Sequence, residues 1–247
     1  EMSTTVPSWS MTASLRELAR VVNSVRVERR PKALRGLRAT LLFRCYRELR
    51  TLPPLRIELD DSDSGRLIRA ELGITMIRFA AEVPNTFEEF VASHNRANNL
   101  RKSMRRAEHA GISFAVVDGR QERATLLSTV LAAWGTPDDF PGGLTPDVGT
   151  YMVARDPDGR PLAMAISLSS VSTTQLAFLV VDRSYASRSV VRYALTAFAI
   201  RVAIEGGAKA VLLTGAAFSA PLGVAVLANN SGSIPGEFYA LGYGAPE

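Results

Sequence analysis

Hydrophobic residues recur at helical spacing near the start of the chain and alternate with polar residues further on. Leu15, Leu18 and Val25 fall on one side of a helix, and Pro31 begins a second segment of this kind, so we expect two N-terminal helices. Three segments then alternate in the manner of strands: LRIELD (55–60), RLIRAEL (66–72) and ITMIRFAAEV (74–83).

Two further helices are predicted before residue 112. Thr86 and Glu89 form a capping box ahead of FEEFVASH, which indicates a helix start. The segment NNLRKSMRRAEHAG (98–111) carries basic residues at helical spacing and ends at Gly111, a residue type that commonly ends helices.

From residue 112 onward, strands and helices follow in a definite order. The order is strand, helix, loop, three strands, helix, strand, helix and strand, with a hairpin at Asp158-Gly159. The predicted strands are 112–117, 150–156, 161–171, 174–181, 210–214 and 237–243, and the predicted helices are 120–134, 189–205 and 220–229. A meander that leads into an α/β crossover predicts an α/β (α+β) fold, with a mixed, mostly antiparallel sheet and helices on both faces.

Charge is unevenly distributed along the chain. Residues 1–107 carry 20 Lys and Arg against 12 Asp and Glu, whereas residues 108–247 carry 9 against 12. We therefore separate a basic N-terminal extension, 1–107, from a domain over 108–247. The asymmetry predicts an anionic partner for the extension, although a solvated helix surface would have the same composition.

Other features narrow the class of protein. Cys45 is the single cysteine, so no intrachain disulfide forms. His94 and His109 are the only histidines, and with so few Cys and His residues we expect no metal site. The uncharged stretches 161–181 and 210–236 contain many Ser and Thr or are broken by Gly and Pro, which fits buried strands better than membrane spans. The chain starts without a signal-peptide pattern, and we expect a cytoplasmic protein.

The segment VVDRSYASRSVVRYAL (180–195) joins a predicted strand to a predicted helix. Backbone N–H groups at such a helix start bind anions. With the order of elements around it, this turn resembles that of the Gcn5-related N-acetyltransferase (GNAT) fold, whose pattern is V-x-P-x-Y-R-G-x-G-x-G. The resemblance covers about residues 112–243, and Val181, Tyr185 and Arg188 occupy family-like positions.

The turn departs from the family pattern where glycines are usual. Ser187, Ser189 and Val191 replace glycines, and Ala186 stands where the family has Arg or Gln. We expect Val191, a β-branched residue, to fill part of the donor's space and to make coenzyme A a less favoured donor. The resemblance implies that strand backbone and turn hold the donor through Leu179, Val180, Val181, Ser187, Arg188 and Ser189.

A second resemblance concerns NLRKSMRRAEHAGISFAVV (99–117). It is similar to a segment R-x-N-[IL]-R-K-A-x-K-A-G-[IV]-x-[VF] of FemAB-like aminoacyltransferases, which have the same fold and take their acyl group from aminoacyl-tRNA. Asn99, Ala107 and Gly111 match that segment together with the basic positions. The resemblance implies tRNA binding, for which we predict Arg29, Arg30, Lys32, Arg35, Arg38, Arg101, Lys102, Arg105 and Arg106.

The sequence names no general base. The resemblance places the donor carbonyl in a gap between the fourth and fifth strands of the fold, where an amine attacks it directly. Tyr185, Ser219 and Tyr239 are weak candidates for catalysis, and Gln175 and Asp182 are near the gap. We expect Asp182 to cap the turn rather than to transfer a proton.

Three functions remain open on the sequence. The favoured one is an N-acyltransferase that moves an aminoacyl group from aminoacyl-tRNA to a small-molecule amine or a similar acceptor, with no tightly bound cofactor. The second is an N-acyltransferase that uses acetyl-coenzyme A or another acyl-coenzyme A. The third is an inactive GNAT-like domain that binds RNA or another acidic partner.

Overall fold

The computed structural model of the protein describes residues 55–74, 77–93, 98–135, 143–216 and 234–242. Within them the strands are β1 (Leu55–Leu59), β2 (Ile77–Glu82), β3 (Ser113–Val117), β4 (Thr150–Arg155), β5 (Pro161–Ser170), β6 (Thr173–Val181), β7 (Ala210–Ala216) and β8 (Ile234–Gly242). The helices are α1 (Asp63–Ile74), α2 (Phe87–Ser93), α3 (Asn98–His109), α4 (Arg120–Trp134) and α5 (Arg188–Glu205). The two predicted N-terminal helices and the predicted helix 220–229 lie outside the described residues.

The strands form one mixed sheet, in the order β1-β8-β2-β7-β6-β5-β4-β3. The pairs β1–β8 and β6–β7 are parallel, and the other neighbouring pairs are antiparallel. The parallel β6–β7 pair is joined through α5, as a crossover connection requires. The predicted mixed, mostly antiparallel sheet is therefore confirmed.

Helices cover both faces of the sheet, as predicted. Along β4, Met152 and Ala154 pack toward α2, α3 and α5, whereas Tyr151 and Val153 pack toward α1 and α4. This alternation follows the two-residue period of a strand. Both residue sets are buried because each face carries its own helices, so β4 is hydrophobic almost throughout.

The prediction of a strand over 66–72 is wrong, because this segment belongs to α1. Ser62 Oγ accepts a hydrogen bond from the Gly65 N–H at 3.1 Å, which satisfies a free donor of the first helical turn. Gly65 lets the helix lie against the end of β1, since a Cβ there would stand 2.3 Å from the Asp60 backbone oxygen. Alternation around Ile68 fits a strand as well as a helix, and the capping residues decide between them.

The region before residue 108 contributes to the same sheet. Strand β2 lies between β7 and β8, and β1 pairs with β8. The domain boundary at 107/108 stays a prediction about the chain's organisation, and strands from both sides of it share hydrogen bonds. Among the described helices, none combines the length and apolar character that a membrane span needs.

Several predicted turns are confirmed. The Glu89 N–H donates to Thr86 Oγ1 at 3.2 Å at the start of α2. Gly111, after α3, has φ +74°, and Gly159, in the β4–β5 hairpin, has φ +81°. Glycine suits both positions because the left-handed region is strained for residues with a Cβ.

Gly149 has the same backbone type in a crowded place, which yields a stability prediction. Its φ is +87°, and a Cβ would lie 2.7 Å from the Ser167 backbone oxygen. Gly159 has nothing within 4 Å of such a Cβ. Gly159→Ala should lower the free energy of unfolding by about 1 kcal/mol. Gly149→Ala should lower it by about 1–3 kcal/mol more than Gly159→Ala does, because its Cβ would also overpack against β5. Urea unfolding of the two variants measures the difference, and equal losses would contradict the described approach to β5.

Candidate functional site

The parallel pairing of β6 and β7 ends halfway along β6. The paired residues run from Thr173 with Ala210 to Leu176 with Leu213. Beyond Leu176, β6 continues to Val181 paired with β5 alone, while β7 continues to Ala216 beside β2. Over the described part of both strands, the sheet therefore opens into a gap that faces the second half of β6.

A β-bulge in β6 stands at the start of this gap. Ile166 of β5 pairs with Phe178, and the next residue, Ser167, pairs with Leu176, so Ala177 is the extra residue. Ala177 and Phe178 both pack on the face of α4, which the normal alternation of a strand would forbid. The bulge bends and twists the strand where the β7 ladder stops, and bulges of this kind are frequent beside active sites.

The turn from β6 into α5 leaves several backbone donors open. The Tyr185 N–H donates to the Asp182 backbone oxygen at 3.3 Å, and the Arg188 N–H donates to that of Tyr185 at 3.1 Å. Within the described residues, the N–H groups of Ala186, Ser187 and Ser189 have no acceptor. They lie at the positive end of the α5 dipole, so the turn can bind an anion.

The side chains at the end of this turn point to solvent. Ser187, Arg188 and Ser189 are exposed, and the Ser187 side chain makes no capping hydrogen bond. Arg188 Nη1 donates to the Arg183 backbone oxygen at 3.0 Å, which leaves other guanidinium donors for a ligand. Val171 is the only described non-glycine residue with positive φ, so the turn is built without the backbone conformation that a glycine-rich loop uses.

The expectation for Val191 is wrong. Its side chain is fully buried among the residues that α5 packs against the sheet. It therefore does not occupy the donor's side of the turn. The steric contrast with glycine-rich turns rests on Ser187 and Ser189, whose side chains are exposed.

Asp182 caps the turn, as predicted. It is 3% exposed, and its Oδ1 accepts hydrogen bonds from the Ser184 N–H at 2.8 Å and from Ser184 Oγ at 2.6 Å. Its Oδ2 forms an ion pair with Arg160 Nη2 in the β4–β5 hairpin. The Ser184 side-chain hydrogen bond lowers the pKa of Asp182, burial opposes this shift, and the Ser184 N–H and Arg160 reinforce it. A carboxylate held in this way is a structural group and a poor base.

The other predicted donor residues lie along the gap. Leu179, Val180 and Val181 form the part of β6 that pairs with β5 alone. Leu179 and Val180 are half-buried, and Val181 is buried. Among the described residues, no strand pairs with the other side of their backbone, and that side could receive a donor carbonyl.

The catalytic candidates are dispersed. Tyr185 is half-buried in the turn and packs against the core on the α5 side. Gln175 is buried in the paired half of β6. Tyr239 lies in β8, which β2 and β7 separate from β6, and Ser219 lies outside the described residues. The geometry brings only Tyr185 to the turn, and its role as a catalyst stays a prediction.

The basic helix α3 packs beside α5 at the same end of the sheet. Its buried residues Leu100, Met104 and Ala107 join the core that α5 completes. The strand pairing places the end of α3 at the sheet edge where β6 ends and α5 begins. Its basic side chains are exposed: Arg101, Lys102, Arg105 and Arg106. The predicted contacts Arg29, Arg30, Lys32, Arg35 and Arg38 lie outside the described residues.

Two features of the site were not found by sequence reasoning. The bulge at Ala177 leaves no pattern in a strand that is buried on both faces. No sequence motif marks Arg160, and the one available signal is its position directly after the predicted Asp158-Gly159 turn. Over the described ranges, no group of three or more His, Cys, Asp or Glu side chains could hold a metal ion.

The lowered pKa of Asp182 predicts how stability depends on pH. Its charged form is stabilised in the folded state, so its contribution is complete above the ordinary pKa of 3.8 and is lost as pH falls through the lower folded value. The difference in unfolding free energy between the native protein and the Asp182→Asn variant should be constant from about pH 5 to about pH 7. It should shrink below pH 3.8. Urea unfolding at a series of pH values measures it, and a difference that grows on acidification would contradict the assignment.

Comparisons with known proteins show the fold. No protein-family model and no curated protein matches the sequence. FemX is similar over 66% of this chain and 60% of its own, with a TM-score of 0.50 and 10% identity. L-PGS from Bacillus licheniformis is similar over 58% of this chain, with a TM-score of 0.41 and 15% identity. A GCN5-related N-acetyltransferase from Kribbella flavida is similar over 43% of this chain, with a TM-score of 0.33 and 29% identity.

The chain spans 48% of the L-PGS chain and 41% of the acetyltransferase chain. The likeness to FemX is one of architecture, since so few residues are identical. With the strand order and the gap beside α5, it confirms the predicted fold. The protein has a GNAT-like fold and shares its architecture with FemX.

Proposed function

We propose that the protein is an acyltransferase that forms an amide bond. The aminoacyl group comes from aminoacyl-tRNA, and the acceptor is a small-molecule amine or a similar nucleophile. The observation that carries the proposal is the gap beyond Leu176, which exposes β6 backbone next to the open N–H groups of the α5 turn. One end of this gap can hold an acyl carbonyl, and the other can hold an anion.

The proposed reaction needs orientation more than a dedicated catalyst. Backbone N–H groups of β6 on the open side donate to the acyl oxygen and stabilise the negative charge that develops on it. The amine nitrogen bonds to the acyl carbon, the ester bond to the terminal ribose breaks, and the ribose oxygen receives the proton that nitrogen loses. Holding the two reactants in place can supply about 7–11 kcal/mol of the barrier.

The basic surface supports tRNA as the donor. Arg101, Lys102, Arg105 and Arg106 are exposed on α3, whose end lies at the sheet edge where the gap opens. Each phosphate that such a residue neutralises releases counterions and adds affinity without reading a base. A single-stranded tRNA end can therefore lie along this surface and present its acyl group to β6.

Acyl-coenzyme A is the second candidate donor, and two observations favour it. Open N–H groups at the start of α5 suit a pyrophosphate, and the burial of Val191 removes one obstacle to it. Against it, the exposed side chains of Ser187 and Ser189 lie where close approach of a phosphate favours glycine. We place tRNA first because α3 is basic along its exposed side.

Binding and transfer assays separate the donors. Bulk tRNA should bind, and replacing Arg101, Lys102, Arg105 and Arg106 by Ala should reduce the salt slope by about one unit per lost phosphate contact at most. The Arg120→Ala variant, changed on α4, is the control and should keep the native slope.

The same protein should move label from bulk tRNA charged with labelled amino acids to a product that survives mild alkali, as an amide does and an aminoacyl ester does not. Acetyl-coenzyme A should bind weakly in calorimetric titration. A low-micromolar dissociation constant, about −8 kcal/mol, would instead favour the coenzyme A donor. RNA binding without transfer of label would indicate an inactive binding domain.

Arg188 tests the donor site itself. It is the first residue of α5, and a charge-assisted contact to a donor phosphate is worth about 1.5–3 kcal/mol. Arg188→Ala should therefore raise the donor KM about tenfold or more. Unfolding free energy should change little, because an exposed arginine at a helix start opposes the dipole.

Arg120→Ala is the matched control for this variant, because Arg120 is also an exposed first residue of a helix, α4. It should leave the donor KM unchanged. Native KM for Arg188→Ala, in a protein that folds normally, would remove the turn from the donor site.

A further inference from the structure

The hairpin between β4 and β5 touches both the basic helix and the donor turn. At one side, Pro157 lies against Gly111 just after α3, where a Cβ on the glycine would be 2.9 Å from Pro157 Cγ. At the other side, Arg160 forms its ion pair with Asp182 at the end of β6. The hairpin is thus a direct physical link between two surfaces that the proposed donor must contact together.

Asp182 is the point at which this link meets the turn. Its backbone N–H donates to the Leu162 oxygen at 2.8 Å, and its backbone oxygen accepts from the Tyr185 N–H at 3.3 Å. One carboxylate oxygen holds Ser184, and the other holds Arg160. Every polar atom of this residue is therefore used to join β5, the hairpin and the turn.

The hairpin is itself held in shape from within. Asp156 Oδ1 accepts from the Asp158 N–H at 3.1 Å and from the Arg160 N–H at 2.8 Å. Arg155 Nη1 donates to the Gly159 oxygen at 3.0 Å. Because these bonds order the loop, Arg160 and the rest of the hairpin would move together.

The ion pair is poorly placed to act as a simple stabiliser of the core. The Arg160 side chain is 63% exposed, while that of Asp182 is 5% exposed. Solvent screens the charge of the arginine, and pairs with an exposed partner add little to folding stability. The pair instead fixes one geometry of hairpin and turn, because it joins a nearly buried carboxylate to an exposed arginine 22 positions away in the sequence.

We propose that Arg160 and Asp182 are positioning residues for the donor. Their ion pair holds the α5 turn in register with the end of α3, so that one polyanionic donor contacts both. This inference rests on the proposed function, because it assumes that the donor spans turn and helix. Neither side chain takes part in bond making, and both act through the N–H groups and Arg188 of the turn.

The test combines amide exchange with RNA affinity. The variants are Arg160→Ala, Asp182→Asn and the double change, with Arg160→Lys as the conservative form. Arg120→Ala is the control, because Arg120 also forms an arginine–aspartate ion pair, with Asp147 at 2.6 Å, at the opposite end of the strands, but there the carboxylate is exposed. Hydrogen exchange is read at the Ser184 and Tyr185 amides, and affinity is read with bulk tRNA.

We expect exchange at the two amides to rise at least tenfold in either single variant and no further in the double variant. The dissociation constant for bulk tRNA should rise about threefold to tenfold, a factor of ten being 1.4 kcal/mol. Arg160→Lys should recover most of the affinity, and Arg120→Ala should change neither readout. The unfolding free energy of Arg160→Ala should stay near the native value.

Two results would overturn the inference. Unchanged exchange at Ser184 and Tyr185 would show that the pair does not order the turn. Faster exchange with native RNA affinity would show that the donor does not depend on the turn's position. If the native protein binds no RNA, the proposed function fails, while the exchange data still decide whether the pair orders the turn.

Discussion

The site depends on one interruption in the sheet. The β6–β7 ladder ends at Leu176 and Leu213, and the bulge at Ala177 turns β6 away just there. In a fully paired strand, all backbone N–H groups would donate hydrogen bonds to the neighbouring strands. Within the part of the chain that the structure describes, the interruption leaves the second half of β6 with one open side, and the same strand leads directly into the start of α5. The backbone that we propose to bind a carbonyl and the backbone that we propose to bind an anion thus come from consecutive residues of one segment, which makes their spacing hard to disturb.

A turn without glycine needs other means to hold its shape, and Asp182 supplies them. Its carboxylate takes up the Ser184 N–H and hydroxyl and the Arg160 guanidinium, while its backbone bonds to β5 and to Tyr185. The turn residues keep negative φ, so ordinary side chains fit at every position. The consequence for function is a surface of small hydroxyl and arginine side chains around open N–H groups. Such a surface suits a phosphate group of a ligand that also contacts the neighbouring basic side chains.

Much of this fold follows from sequence patterns, and the exceptions have physical causes. Alternation, turn residues and Gly111 predict β3 to β7, α3, α4 and α5 near their observed bounds. Alternation around Ile68 predicts a strand for the segment of α1, whereas the decisive Ser62–Gly65 contact depends on how the chain folds back on Asp60. The motif gives the position of Val191 along the chain, whereas the packing of α5 sets the direction of its side chain. The Arg160–Asp182 pair joins residues 22 positions apart, and only the β5–β6 register brings them together.

The central claim is that β6 beyond its bulge receives the acyl group while basic side chains hold the nucleic acid. Hydrogen exchange with bulk tRNA, first deacylated and then aminoacylated, tests both parts at once. We predict that both forms protect the amides of α3 and of the α5 turn. Only the aminoacylated form should add protection at the β6 residues 177–181. Equal protection of β6 by the two forms, or protection by neither, would contradict the claim that this strand binds the acyl group.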